Sequence, residues 1–113
     1  MPTRVVNPTN QGVNYSFDKD STDATLKVIG VGESIINVTV EVTEVFEIAK
    51  ILTIGIPSDH DKFVELTDID LTTLGVYEKT LYYTATAGET VSAFFSGVSA
   101  TGAGKIFIEM LQS

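Results

Sequence analysis

Hydrophobic and polar residues alternate most regularly in SIINVTVEVTEVF, residues 34–46, where Ile36, Val38, Val40 and Val42 are separated by Asn37, Thr39, Glu41 and Thr43. Successive side chains of an extended strand point to opposite faces, so this spacing predicts a half-buried antiparallel strand with a β-branched apolar row on one side. A helix would scatter the valines around its circumference and crowd their χ1 rotamers. Val13, Tyr15 and Phe17 alternate with Asn14 and Ser16 and predict a short first strand, followed by a polar turn over residues 18–23. Residues 26–31 form a second apolar run, closed by Gly30 and Gly32.

Downstream of the long strand, Ile48, Leu52 and Ile56 have helical spacing, but the β-branched content of residues 48–56 and the neighbouring Pro57 favour a strand. Residues 58–62 read as a loop, and residues 63–74 as an irregular segment with one helical turn, broken by Gly75. The last third reads as β throughout. Val76, Tyr77, Leu81, Tyr82 and Tyr83 lead to a turn at Ala87-Gly88-Glu89. Val91, Ala93 and Phe95 then face one way, and Ser92 and Phe94 the other. Residues 96–105, SGVSATGAGK, read as a glycine-rich hairpin connection into a closing strand with Ile106, Phe107, Ile108, Met110 and Leu111. Seven or eight short strands, turn signals between them and no long helix predict an all-β antiparallel sandwich or barrel. Residues 1–12, with two prolines and no periodicity, read as an extended N-terminal arm, and a frayed terminus is favoured over a tether that orders against a neighbouring subunit. Residues 13–113 form a single domain without internal repeat or linker.

Composition narrows the partners. The chain has 113 residues, enough for one domain with its own core. It has no cysteine, so disulfides and thiolate metal sites are excluded. Fifteen acidic against seven basic residues give a net charge of −8. That charge argues against duplex nucleic acid and anionic membrane surfaces as partners, and it keeps free copies soluble and apart. The N-terminus lacks the apolar stretch of a secretory signal, and no apolar run reaches bilayer-spanning length. The expectation is a protein made in a cytoplasm.

Each candidate for chemistry has a plainer reading. Gly102-Ala103-Gly104-Lys105 departs from a phosphate loop, because Ser99 stands at the first glycine position and Ile106 at the magnesium-binding hydroxyl. Asp18, Asp20 and Asp23 begin like a calcium loop, but Ile29 occupies the position of the bidentate glutamate. Asp59, Asp61, Glu65, Asp68 and Asp70 form a second acidic cluster, of a kind that usually caps turns or faces water. His60, the one histidine, is flanked by Ser58, Asp59 and Asp61 and reads as a solvated loop residue, not as a triad base. Nothing selects two carboxylates as a glycosidase pair. The reading is therefore a non-enzyme, with no catalytic residue, no metal site and no cofactor. Tyr77, Tyr82, Tyr83, Phe94 and Phe95 would suit a sugar-stacking platform, but the pairs Tyr82-Tyr83 and Phe94-Phe95 put one ring in and one out, and cover by another protein is the more economical explanation.

Leu52-Thr53-Ile54-Gly55, Asp68-Ile69-Asp70-Leu71-Thr72, Gly75-Val76-Tyr77, and Ala100 to Lys105 running into Ile106-Phe107-Ile108-Glu109 together resemble a pattern in small virion proteins of tailed bacteriophages. The resemblance spans the last three quarters of the chain and rests on turn and strand signals. It implies a jelly-roll-like β-sandwich serving as a capsid decoration (cement) protein. Such a protein would bind a major capsid protein on the outside of the head, bridge capsomers, and form a homodimer or homotrimer, with the arm and exposed aromatics as contacts. A tail or head-fibre component and a carbohydrate-binding module are the alternatives. The matched positions are structural, so the resemblance carries over no binding residue.

Overall fold

The computed structural model describes residues 12–111. Their eight strands are β1 (Val13–Asp18), β2 (Ala24–Ile29), β3 (Ser34–Glu44), β4 (Ile51–Ile56), β5 (Asp59–Val64), β6 (Gly75–Thr84), β7 (Glu89–Ser96) and β8 (Ala103–Leu111). They form two four-stranded antiparallel sheets ordered β1-β8-β3-β6 and β2-β7-β4-β5. Strands consecutive in sequence mostly lie in opposite sheets, and the order is that of a jelly roll, the double-sheet solution built from two Greek keys. The apolar faces meet between the sheets. Val38, Val40, Val42, Ile106, Ile108 and Met110 on one side are buried with Ile29, Leu52, Ile54, Phe63, Val91 and Ala93 on the other.

The long alternating strand is β3, at the centre of its sheet between β8 and β6. The alternation holds for Val38, Val40 and Val42 but fails at Ile36. A bulge between Ile35 and Asn37 inserts one residue against β8, so Ile35 is fully buried and Ile36 only half-buried. Beyond it, the Asn37 amide nitrogen donates to Glu78 (2.8 Å) and Glu109 (3.2 Å) on the outer face.

Two segments differ from the reading of the sequence. Residues 59–62, expected in a loop, begin the edge strand β5 after a two-residue connection at Pro57-Ser58. An edge strand with a solvated outer face needs few apolar residues, and Asp59, His60, Asp61 and Lys62 are exposed while Phe63 and Val64 are buried. The glycine-rich stretch is not a hairpin either, because β7 and β8 belong to different sheets. Residues 97–102 cross between the sheets, and Gly104 and Lys105 already lie in β8, paired with Phe17 and Ser16 of β1. The one helical turn expected in residues 63–74 is a 3₁₀ turn, Leu66–Asp68. The arm of residues 1–12 falls outside the described residues except for Gly12.

Strand direction sorts the connections. Those at 19–23, 45–50, 65–74 and 97–102 gather at one end of the sandwich, and those at 30–33, 57–58 and 85–88 at the other. The second end is tied at Ala85, whose carbonyl accepts the Gly32 N–H (2.9 Å) and whose N–H donates to the Glu33 carbonyl (2.9 Å).

Candidate docking surface

The four-loop end is internally cross-braced. Phe46 is buried, donates its backbone N–H to the Leu71 carbonyl (2.8 Å) and stacks on Phe17 (5.7 Å between centroids), which in turn packs on Phe95. Glu47 holds the crossover twice: its N–H donates to Ser99 Oγ (2.9 Å), and its carboxylate accepts from the Ala100 N–H (2.8 Å). Thr101 Oγ1 donates to the Val45 carbonyl (2.9 Å). Lys50 is the buried cation of this end. Its ammonium donates to the carbonyls of Lys19 (3.2 Å) and Ser21 (3.4 Å) and lies over the Phe95 ring, pinning the β1–β2 turn.

Two glycines allow this close packing. Gly102 has φ +133°, and a Cβ there would lie 2.1 Å from the Phe46 ring. Gly97 has φ +78°, and a Cβ would lie 1.8 Å from the Ala49 carbonyl oxygen. Both are conformations that a side chain resists even without a neighbour. The turn at residues 47–50, closed by Lys50 N–H to the Glu47 carbonyl (3.1 Å), is thus clamped from behind by the crossover.

What this braced end offers to solvent is apolar. Val45, Ile48, Leu66, Leu74 and Val98 are exposed in its loops, whereas Val31 is the one such residue in the loops of the opposite end. Ile48, at the tip of the clamped turn, is 89% exposed. A groove of about 330 Å³ runs between the β3–β4 and β5–β6 connections, lined by Ile48, Ile51, Leu66, Ile69 and Leu71 with Lys50, Asp70 and Thr72. A second, of about 430 Å³, lies on the far side of Ile51 and Leu66 against His60 and Phe94. Order behind and apolar surface in front is the arrangement of a preformed contact patch.

Carboxylates surround that patch: Asp18, Asp20, Asp23, Glu47, Glu65, Asp68 and Asp70 lie in or beside the same loops. Most have structural duties. Asp18 Oδ1 accepts from the Asp20 N–H (2.9 Å), and Asp23 Oδ1 accepts from the Phe95 N–H (2.9 Å). Asp68 receives the Lys79 ammonium (2.8 Å) and the Glu65 N–H (2.8 Å), which hold its carboxyl below the usual range. Asp70 is held low by the Thr72 hydroxyl and N–H and the Thr73 hydroxyl. The second acidic cluster is split, because β5 carries Asp59 to the opposite end from Glu65, Asp68 and Asp70. Among the described residues no three His, Asp or Glu side chains converge as a metal site would require.

The other candidates are dispersed. His60 lies on a strand, stacked flat on Phe94 at 3.8 Å on the outer face of its sheet. Tyr77, Tyr83 and Phe95 pack toward the core, Phe94 faces out from the opposite sheet under His60, and Tyr82 stands 70% exposed on β6. These rings share no platform. Glu78 and Glu109, the two carboxylates brought together at Asn37, lie on a flat outer sheet face outside both grooves. Sequence reading missed the loop-end patch. Its only trace there is apolar residues (Val45, Ile48, Leu74, Val98) placed in segments that otherwise read as connections or strand ends.

No protein family matches the chain, and no curated protein does. Its fold is similar to that of solved chains from phage particles. One is a chain of the acidic stable capsid structure of Helicobacter pylori bacteriophage KHP30, at 15% identity and a TM-score of 0.73, covering 96% of this chain and 88% of that one. Another is a chain of the cyanophage Pam1 capsid asymmetric unit, at 17% identity and a TM-score of 0.68, covering 100% of this chain and 91% of that one.

Proposed function

We propose that this chain is a non-enzymatic structural protein of a phage virion, a decoration (cement) protein that binds the outside of the head and ties capsomers together. The observation that carries the reading is the clamped apolar loop end, on a jelly roll whose fold likeness is to chains of two phage capsids. A shell-binding protein needs a preformed contact surface more than a cleft. Rigid backbone behind Ile48, Leu66 and Val98 lowers the ordering cost of docking. Burying the same patch against a major capsid protein stabilises the decorated shell over the bare one by mass action. The protein is made in the bacterial host and resides on the capsid surface.

Shells of the parent phage lacking this protein provide the test. Purified chain added at micromolar concentration is expected to co-sediment with them and to raise the temperature at which they open. Ile48→Asp is expected to abolish co-sedimentation with the chain's own melting temperature unchanged, whereas Val31→Asp at the opposite end leaves binding intact. Absence of co-sedimentation by the wild-type chain overturns the reading.

A further inference from the structure

The open edge of β6 has an internal symmetry that the loop end does not explain. β6 closes its sheet beside β3, and at ten residues it is longer than the other edge strands, β1, β2 and β5, at six each. No turn, loop or side-chain hydrogen bond among the described residues reaches its backbone. Val76, Glu78, Thr80 and Tyr82 face outward, and of these Val76 (63% exposed) and Tyr82 (70%) are the large apolar residues. They stand three positions to either side of Lys79.

We infer that β6 pairs antiparallel with β6 of a second copy about a two-fold axis at Lys79, joining the two β1-β8-β3-β6 sheets into one. Positions equally spaced about Lys79 share a face, so the pairing keeps inward residues against inward ones. It sets Val76 against the second copy's Tyr82, Glu78 against its Thr80, and Tyr77 against its Leu81. An aromatic opposite a β-branched residue is a favoured cross-strand pair, and both copies supply the same strip, as an isologous interface demands. The two nearest axes do worse. Centred on Glu78, two carboxylates face each other; centred on Thr80, Glu78 meets Tyr82 and Val76 meets Thr84. The two Lys79 ammoniums meet at the chosen axis, but each already holds Asp68 of its own chain at 2.8 Å. Because each copy carries −8, added salt strengthens the association by screening.

The chain has no cysteine, so single cysteines report the register directly. Directly opposed Cβ atoms lie about 4.5–5.5 Å apart, close to disulfide reach. Under mild oxidation Lys79→Cys is expected to form a covalent dimer. Tyr77→Cys and Leu81→Cys are each expected to give no disulfide cross-link alone and to cross-link when mixed. By sedimentation equilibrium the wild-type chain is expected to move from monomer toward dimer mass with rising concentration and salt. Tyr82→Lys, folded by circular dichroism, is expected to remain monomeric. A wild-type chain that is monomeric up to millimolar concentration in high salt, or that sediments as a trimer, overturns the inference. So does cross-linking of Tyr77→Cys alone as fast as Lys79→Cys.

Discussion

Gly102 is the residue on which the order of the loop end depends most directly. Its φ of +133° is strained for a side chain, and the Phe46 ring occupies the space that a Cβ would need. Gly102→Ala is expected to destabilise the fold by about 2–4 kcal/mol, combining backbone strain with overpacking, as read by chemical denaturation. Tyr83 gives a second residue-level test. Its hydroxyl donates to Glu89, and that bond, with burial and the Glu89 charge, pushes its pKa up to about 12. Where the folded state holds a proton that the unfolded chain has released, stability falls as pH rises. The contribution of Tyr83 is therefore complete below pH 10 and is lost between 10 and about 12. Tyr83→Phe, which keeps the edge contact with Phe63, is expected to flatten that part of the stability curve in pH-dependent melts.

At the level of elements, β3 marks how far sequence reading reaches. Its alternation identifies a half-buried antiparallel strand, because burial on one face imposes a period of two on the residues themselves. The bulge at Ile36 left no such mark, since Ile35 and Ile36 are chemically alike and only the partners' register separates them. Ile35→Val is expected to cost about 1 kcal/mol and Ile36→Val less than about 0.5 kcal/mol in denaturant titrations; a strictly alternating strand would reverse the order. β5 was hidden for the opposite reason. Edge position and a wet outer face allow the polar string Asp59-His60-Asp61-Lys62, which is composed like a turn. The apolar patch of the loop end was not legible at all as a surface. Val45, Leu66 and Val98 are far apart in sequence, and only the jelly-roll order brings their loops to one end.

For the whole molecule, charge and shape act on different interfaces in different directions. The apolar patch of the loop end is ringed by carboxylates, while its buried lysine, Lys50, is committed to backbone carbonyls. A partner that fits it presents an apolar centre with Lys and Arg at its margin, and association with such a surface is steered by the long-range field. The on-rate for bare shells is expected to fall by roughly tenfold or more between about 0.01 M and 1 M salt, with a smaller change in off-rate, as followed by light scattering. β6 self-pairing is expected to respond with the opposite sign, so a single salt series separates the two interfaces. The pairing of Val13 with Ile108 also fixes where the described chain enters and leaves: β1 starts and β8 finishes at the end remote from the four loops. A peptide or fluorescent domain joined directly at Val13 or at Leu111 would therefore leave the sandwich on the side opposite the apolar loops, clear of the surface proposed to meet the shell.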